Sequence, residues 1–155
     1  MPCRKYIIHI SLLICLFILA NHTKIAAQRD TLSGLWEGVL TIEKDGVIAA
    51  NYDVFFNFNE ENDVITGTST IVYNNMSAKI SFRATQKNTK SLEIQEIEIL
   101  KADVLPNGEW CVKNISLKRV FEKNEIIWRG EWIGKTSFSD CPPGKIYLKK
   151  AVKRV

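Results

Sequence analysis

The chain has 155 residues, a formal net charge of +4 and an apolar fraction of 46%, which is enough for one ordinary domain with a hydrophobic core. Residues 1–27 hold three of its 21 basic residues, none of its 17 acidic ones and both histidines. Without them the formal net charge is +1, so nucleic-acid binding is not expected. The lack of histidine excludes Ser-His-Asp and Cys-His catalysis and histidine-ligated zinc.

The N-terminal segment has the features of a secretory signal peptide. Two basic residues precede an almost unbroken apolar run from Tyr6 to Ala20, and small residues up to Ala27 precede a polar flank. We therefore predict a signal peptide over residues 1–27, export to the periplasm or the extracellular space, and a single domain over residues 28–155. The apolar run is short for a membrane-spanning helix, so the processed chain is not expected to span a membrane. A retained anchoring helix is the alternative.

Two cysteines, Cys111 and Cys141, remain after the predicted cleavage. An even pair in an exported chain indicates a disulfide, with two free thiols as the alternative. Two cysteines alone cannot form a closed structural zinc site, and we predict neither a metal ion nor a cofactor.

The rest of the chain alternates strand patterns with turn signals. The first strand begins near Gly34 and ends before Asp45-Gly46, a dipeptide that favours a two-residue hairpin. Later turn signals lie at residues 60–63, at Asn74-Asn75 and at residues 87–90. The predicted strands up to this point cover residues 35–44, 48–59, 64–73 and 76–85.

The second half continues this pattern with two irregular places. In the fifth strand the apolar parity changes, so we predict a bulge at Gln95-Glu96, with Glu96 and Glu98 together on an outer face in solvent. Residues 135–144, which contain Cys141 and two prolines, are predicted to form the longest loop. The predicted strands of this half cover residues 92–99, 109–121, 124–134 and 145–149.

About eight strands joined by short turns predict an all-β, antiparallel up-and-down β-barrel. No segment has a helical periodicity long enough for the crossover helix that parallel pairing requires. Closure into a barrel removes the exposed edges of such a meander, and a two-sheet β-sandwich is the alternative. One face of most strands is charged, so an outer face in contact with lipid is not expected.

Alternate turns of a meander lie at the same end, so each aromatic residue can be assigned to one end of the barrel. Asp45-Gly46, Asn74-Asn75, the turn after Pro106 and the long loop share one end, the mouth, and the N-terminus lies at the other end, the base. Four aromatic residues fall near the mouth, and we predict that they line a site for a small apolar or amphipathic ligand. The alternative is that they fill a solid barrel core. The four residues are Tyr52, Tyr73, Trp110 and Trp132.

The tripeptide Gly34-Leu35-Trp36 resembles the G-x-W motif of lipocalins and, more broadly, of the calycin barrels, which include the avidins. The resemblance implies an eight-stranded barrel, extracellular binding of small molecules, and structural roles for Gly34 and Trp36, with the indole closing the base. The stretch from Leu32 to Trp36 also looks like the start of small periplasmic metalloprotease-inhibitor barrels. Unlike in lipocalins, no C-terminal helix is expected after the eighth strand.

The sequence therefore predicts an exported, non-catalytic binding protein whose partner is a small apolar ligand at the barrel mouth. The alternative is a protein-interaction module, such as a periplasmic protease inhibitor or an envelope-associated partner. Such a module would act through the N-terminal residues 28–33 or through the loop 135–144.

Overall fold

The computed structural model describes residues 32–106 and 108–152, so the predicted signal peptide lies outside the described residues. Within these ranges the chain is all-β. Its strands are β1 (Gly34–Lys44), β2 (Val47–Glu61), β3 (Val64–Tyr73), β4 (Met76–Asn88), β5 (Ser91–Ala102), β6 (Val112–Glu122), β7 (Glu125–Lys135) and β8 (Asp140–Lys150).

Each strand pairs antiparallel with the next one along the chain, and β8 pairs with β1, so the sheet closes into a barrel. The predicted up-and-down barrel is confirmed, and the sandwich alternative is excluded. The architecture is consistent with a calycin-like fold. The described residues include no helix long and apolar enough to cross a membrane.

Four connections are two-residue hairpin turns in which both residues adopt positive φ angles. At Asp45-Gly46 the angles are 51° and 76°, and at Asn74-Asn75 they are 48° and 64°. The backbone twist of such turns matches that of the flanking strands, and Asn, Asp and Gly tolerate the left-handed conformation best. The other two turns are Asn62-Asp63 and Lys123-Asn124.

The prediction of a long loop over residues 135–144 is wrong. β8 begins at Asp140, so the connection between β7 and β8 covers only residues 136–139. Pro142 and Pro143 both lie opposite Ile133, at a bulge, where a residue without an N–H interrupts the ladder least. The longest connection instead covers residues 103–111, between β5 and β6.

The predicted disulfide is confirmed. Cys111 lies directly before β6 and Cys141 lies in β8, with their Cα atoms 6.4 Å apart. The bond therefore joins β6 to β8 across β7, and Cys141 is part of a strand instead of a loop.

Replacing both cysteines by serine should lower the free energy of unfolding by about 3–4 kcal/mol, because the disulfide closes a loop of about 30 residues and so restricts the unfolded chain. Urea denaturation of the double variant Cys111→Ser/Cys141→Ser measures this loss. The wild-type protein in reductant is the control and should lose a similar amount. Equal stability of the oxidised and reduced proteins would contradict the prediction.

The base half of the barrel is filled with side chains. The rings of Phe56, Phe58 and Phe82 pack against one another, with centroids 4.9–5.8 Å apart. Trp128 is also buried in this core. Aromatic side chains therefore fill the barrel at its base.

Trp36 lies in the core at the base and is 2% exposed. Its Nε1–H donates to the carbonyl oxygen of Leu32 at 2.8 Å, and the ammonium group of Lys150 lies 5.6 Å from its ring centroid. Gly34 precedes it with a φ of 111°, a conformation that favours glycine. The indole thus bonds to the segment that enters β1, where Leu32 is also buried.

Candidate functional site

The end of the barrel opposite Trp36 contains a cavity of about 390 Å³. This end, the mouth, carries the connections 45–46, 74–75, 103–111 and 136–139. Asn74 and Leu105, from two of these connections, line the cavity together with inward-facing residues of the strands. The barrel is therefore filled at the base and hollow at the mouth.

All four aromatic residues predicted from the sequence line this one cavity. Tyr52 of β2 and Tyr73 of β3 pack side by side, with ring centroids 4.7 Å apart. Trp110 comes from the 103–111 connection and Trp132 from β7. Their contact with a ligand remains a prediction. Further apolar lining, which the sequence did not single out, comes from Leu40, Ile42, Ile71, Met76 and Leu105.

Both indole N–H groups of the cavity wall are already used by the protein. Trp110 Nε1–H donates to the carbonyl oxygen of Asp103 at 2.7 Å, and Trp132 Nε1–H donates to that of Thr41 at 2.9 Å. A Cβ atom at Gly144 would overlap the same Thr41 oxygen, so only glycine lets the strands approach closely enough there. The two tryptophans are thus held in place in the cavity wall.

The two tyrosine hydroxyls, in contrast, make no hydrogen bond to any residue within 32–106 or 108–152. Burial raises the pKa of Tyr52, and the neighbouring Tyr73 raises it further. The Tyr52 hydroxyl therefore stays protonated at neutral pH. Tyr52 and Tyr73 can each donate a hydrogen bond to a bound molecule.

A buried ion pair lies beside the cavity. Lys113 Nζ is 2.9 Å from Glu96 Oε2, and the two side chains are 3% and 0% exposed. Lys113 Nζ also donates to the carbonyl oxygen of Cys111 at 2.7 Å, and Ser69 Oγ donates to Glu96 Oε1 at 2.7 Å. Burial lowers the pKa of Lys113, and the charge of Glu96 partly offsets this effect. Lys113 is also part of the cavity wall.

The ion pair occupies a place where two strands separate. β5 and β6 pair only over Ser91–Gln95 and Asn114–Lys118. Directly beyond this ladder, the backbone N–H of Lys113 donates to Glu96 Oε2 at 2.9 Å. The carboxylate thus replaces the backbone acceptor that β5 no longer supplies, which satisfies a buried donor that would otherwise be unpaired.

The prediction that Glu96 lies with Glu98 on an outer face is wrong. Glu96 pairs with the buried Phe82 and Glu98 with Ser81, so the extra residue of the bulge is Ile97, instead of the predicted Gln95-Glu96. Glu96 keeps the inward parity of the preceding apolar residues of β5 and is buried, and Glu98 is exposed. Lys113 was missed although it alternates with buried Ile115 and Leu117.

Glu109 lies at the edge of the cavity and links two connections of the mouth. Its carboxylate accepts hydrogen bonds from the backbone N–H of Ser137 at 3.0 Å and from the hydroxyl of Ser137 at 2.7 Å. These bonds, with the backbone donor contributing most, hold the pKa of Glu109 below its ordinary value. The group is therefore negatively charged at neutral pH.

The protein-interaction alternative relied on two segments. The first, residues 28–33, falls mostly outside the described residues. The second, the loop 135–144, is reduced to the four residues 136–139, which Glu109 ties to the 103–111 connection. The mouth cavity is the candidate site that the described residues delimit.

The arrangement can hold an apolar molecule between aromatic faces and offer it two hydroxyl donors. A comparison with protein-family models finds none that matches the chain, and a comparison with curated proteins finds no significant match.

Proposed function

We propose that the protein is an exported, non-catalytic binding protein that holds a small apolar or amphipathic molecule in the mouth cavity. The observation that carries the proposal is the cavity of about 390 Å³ whose lining includes Tyr52, Tyr73, Trp110 and Trp132. Ligand sites in proteins are typically concave, mostly apolar and lined by aromatic residues, with a few polar groups that orient the ligand. The two free tyrosine hydroxyls are such groups.

The compartment is part of the proposal. The disulfide Cys111–Cys141 is compatible with an oxidising, exported environment. The basic and apolar features of residues 1–27 support the same compartment.

We also propose that the barrel is related to the lipocalin or avidin type of calycin. The closed antiparallel barrel and the buried position of Trp36 after Gly34 support this relationship. The residues after Trp36 do not resemble the polar biotin-binding loop of avidins, so we do not propose biotin as the ligand.

The Tyr52→Ala variant should bind an uncharged apolar fluorescent probe about tenfold more weakly than the wild-type protein. The substitution removes one aromatic wall, its contact with Tyr73 and one of the two free hydroxyls. Probe titration, followed by the increase in probe fluorescence, gives the dissociation constants.

Tyr147→Ala is the matched control for this experiment. Tyr147 lies on β8 outside the cavity, where the guanidinium group of Arg129 lies 5.4 Å from its ring centroid. This variant should bind the probe as the wild-type protein does. Equal affinities of wild-type protein and Tyr52→Ala, or no binding by the wild-type protein, would contradict the proposed function. Native mass spectrometry of protein purified from its own host would identify a retained ligand by its mass.

A further inference from the structure

The side chains that line the mouth cavity carry few charges. Among the described residues that line it, only Lys113 and Glu109 are charged at neutral pH. Lys113 forms its ion pair with Glu96 and is almost fully buried, and Glu109 lies at the exposed edge of the cavity. The balance between these groups bears on the kind of molecule that the cavity accepts.

The ion pair contributes no net positive charge. Lys113 and Glu96 carry opposite charges, so the sum of the two charges is zero. The ammonium group already has Glu96 Oε2 and the carbonyl oxygen of Cys111 as partners. A carboxylate or sulfate that entered the cavity would lose its hydration and find no uncompensated cation in exchange, which is costly in an apolar environment.

Glu109 adds a negative charge at the edge of the cavity. Ser137 holds this carboxylate in place and keeps it ionised through two hydrogen bonds. An anionic ligand would therefore experience repulsion at the mouth, although salt screens an exposed charge in part. The repulsion and the cost of desolvation both weaken the binding of an anionic ligand.

Two of the hydrogen-bond donors left for a ligand are neutral phenol hydroxyls. The hydroxyls of Tyr52 and Tyr73 have no partner among the described residues, and both indole N–H groups bond to backbone oxygens. A hydroxyl or carbonyl oxygen on a ligand can accept from a phenol without bringing a charge into the cavity.

We propose, on the basis of the proposed function, that the cavity selects uncharged apolar molecules that bear a hydroxyl or carbonyl oxygen and discriminates against anions with the same hydrocarbon. A simple long-chain alcohol is thus a better ligand than the fatty-acid anion of equal length.

The test compares 1-decanol with decanoate at pH 8, each displacing the uncharged apolar probe from the intact, oxidised protein below the concentrations at which either compound aggregates. We expect 1-decanol to bind about tenfold more tightly than decanoate. In Glu109→Gln the ratio of the two affinities should shrink by about threefold, because the negative charge is lost while an amide oxygen can still accept from Ser137. Glu125→Gln, in an exposed position at the base, is the control and should leave the ratio unchanged.

The outcomes separate the inference from the proposed function. Decanoate binding as tightly as 1-decanol, or a ratio that is the same in Glu109→Gln as in the wild-type protein, would overturn the inference and leave the proposed function standing. Failure of the probe and of both compounds to bind would overturn the two together.

Discussion

The Trp36→Ala variant is expected to lose about 3–5 kcal/mol of the free energy of unfolding, as buried tryptophan-to-alanine changes do. The indole is 2% exposed in the base core, so its removal leaves a cavity that the surrounding strands cannot fill completely. The change also removes the donor that bonds to the carbonyl oxygen of Leu32 and the aromatic face near the ammonium group of Lys150.

Chemical denaturation followed by far-ultraviolet circular dichroism measures this loss without relying on the fluorescence of the residue removed. Phe121→Ala is a suitable control, since Phe121 is an aromatic residue near the base that is 70% exposed, and its replacement should have little effect on stability. If Trp36→Ala kept its stability but lost probe binding, the assignment of Trp36 to the base and of the ligand to the mouth would be wrong.

The second large effect is expected for Glu96→Gln, which should also destabilise the protein by about 3–5 kcal/mol. The change preserves shape but leaves the buried ammonium group of Lys113 without a counter-charge. Measurement of the free energy of unfolding at pH 7 tests this expectation. A loss as small as that of a surface substitution would show that the pair is not buried in solution.

A double variant separates the effect of the unpaired charge of Lys113 from the other effects of Glu96→Gln. The double variant Glu96→Gln/Lys113→Met should be more stable than Glu96→Gln alone, because no unpaired charge remains in the barrel. Its amide oxygen can still accept from the backbone N–H at position 113, which the native carboxylate accepts at 2.9 Å.

The stability of Glu96→Gln should also depend on pH. In the wild-type protein the charge of Glu96 raises the pKa of Lys113. The variant lacks this charge, so burial lowers the pKa of Lys113 further below its ordinary value of 10.5. Between the lowered folded-state pKa and 10.5, the unfolded chain binds the proton and the folded protein does not. The stability of the variant should therefore rise with pH over the range from the lowered pKa up to 10.5, and the rise should be absent when Lys113 is also replaced by methionine.

The order and pairing of the strands could be predicted because their signals are local. Alternating apolar residues define each strand, and dipeptides such as Asp45-Gly46 and Asn74-Asn75 define the hairpins between them. A meander with no crossover then favours closure, although a two-sheet sandwich was an alternative until the pairing of β8 with β1 was known. The same ordering placed four aromatic residues at one end, where they line a single cavity.

The features that the sequence did not reveal depend on shifts of the strand register by one residue. A bulge adds one residue, and no particular side chain marks its position. The sequence therefore could not distinguish a bulge at Ile97 from one at Gln95-Glu96. The position matters because it decides whether Glu96 faces the interior. Pro142 and Pro143 indicated a loop, although a bulge accommodates both in β8. The buried pair did leave a signal, since Glu96 and Lys113 each continue the inward alternation of their own strands.

Two short ladders divide the barrel into a larger leaf, β1 to β5, and a smaller one, β6 to β8. β5 meets β6 over Ser91–Gln95, and β1 meets β8 over Trp36–Leu40, whereas the other neighbouring strands pair over longer stretches. Local opening is least costly where few backbone hydrogen bonds must break, so amide hydrogens along these two seams should exchange with solvent soonest. The disulfide lies within the smaller leaf and crosses neither seam. The buried ion pair of Glu96 with Lys113 and the hydrogen bond from Trp132 to the carbonyl oxygen of Thr41 cross these seams, so they oppose any wider movement of one leaf against the other.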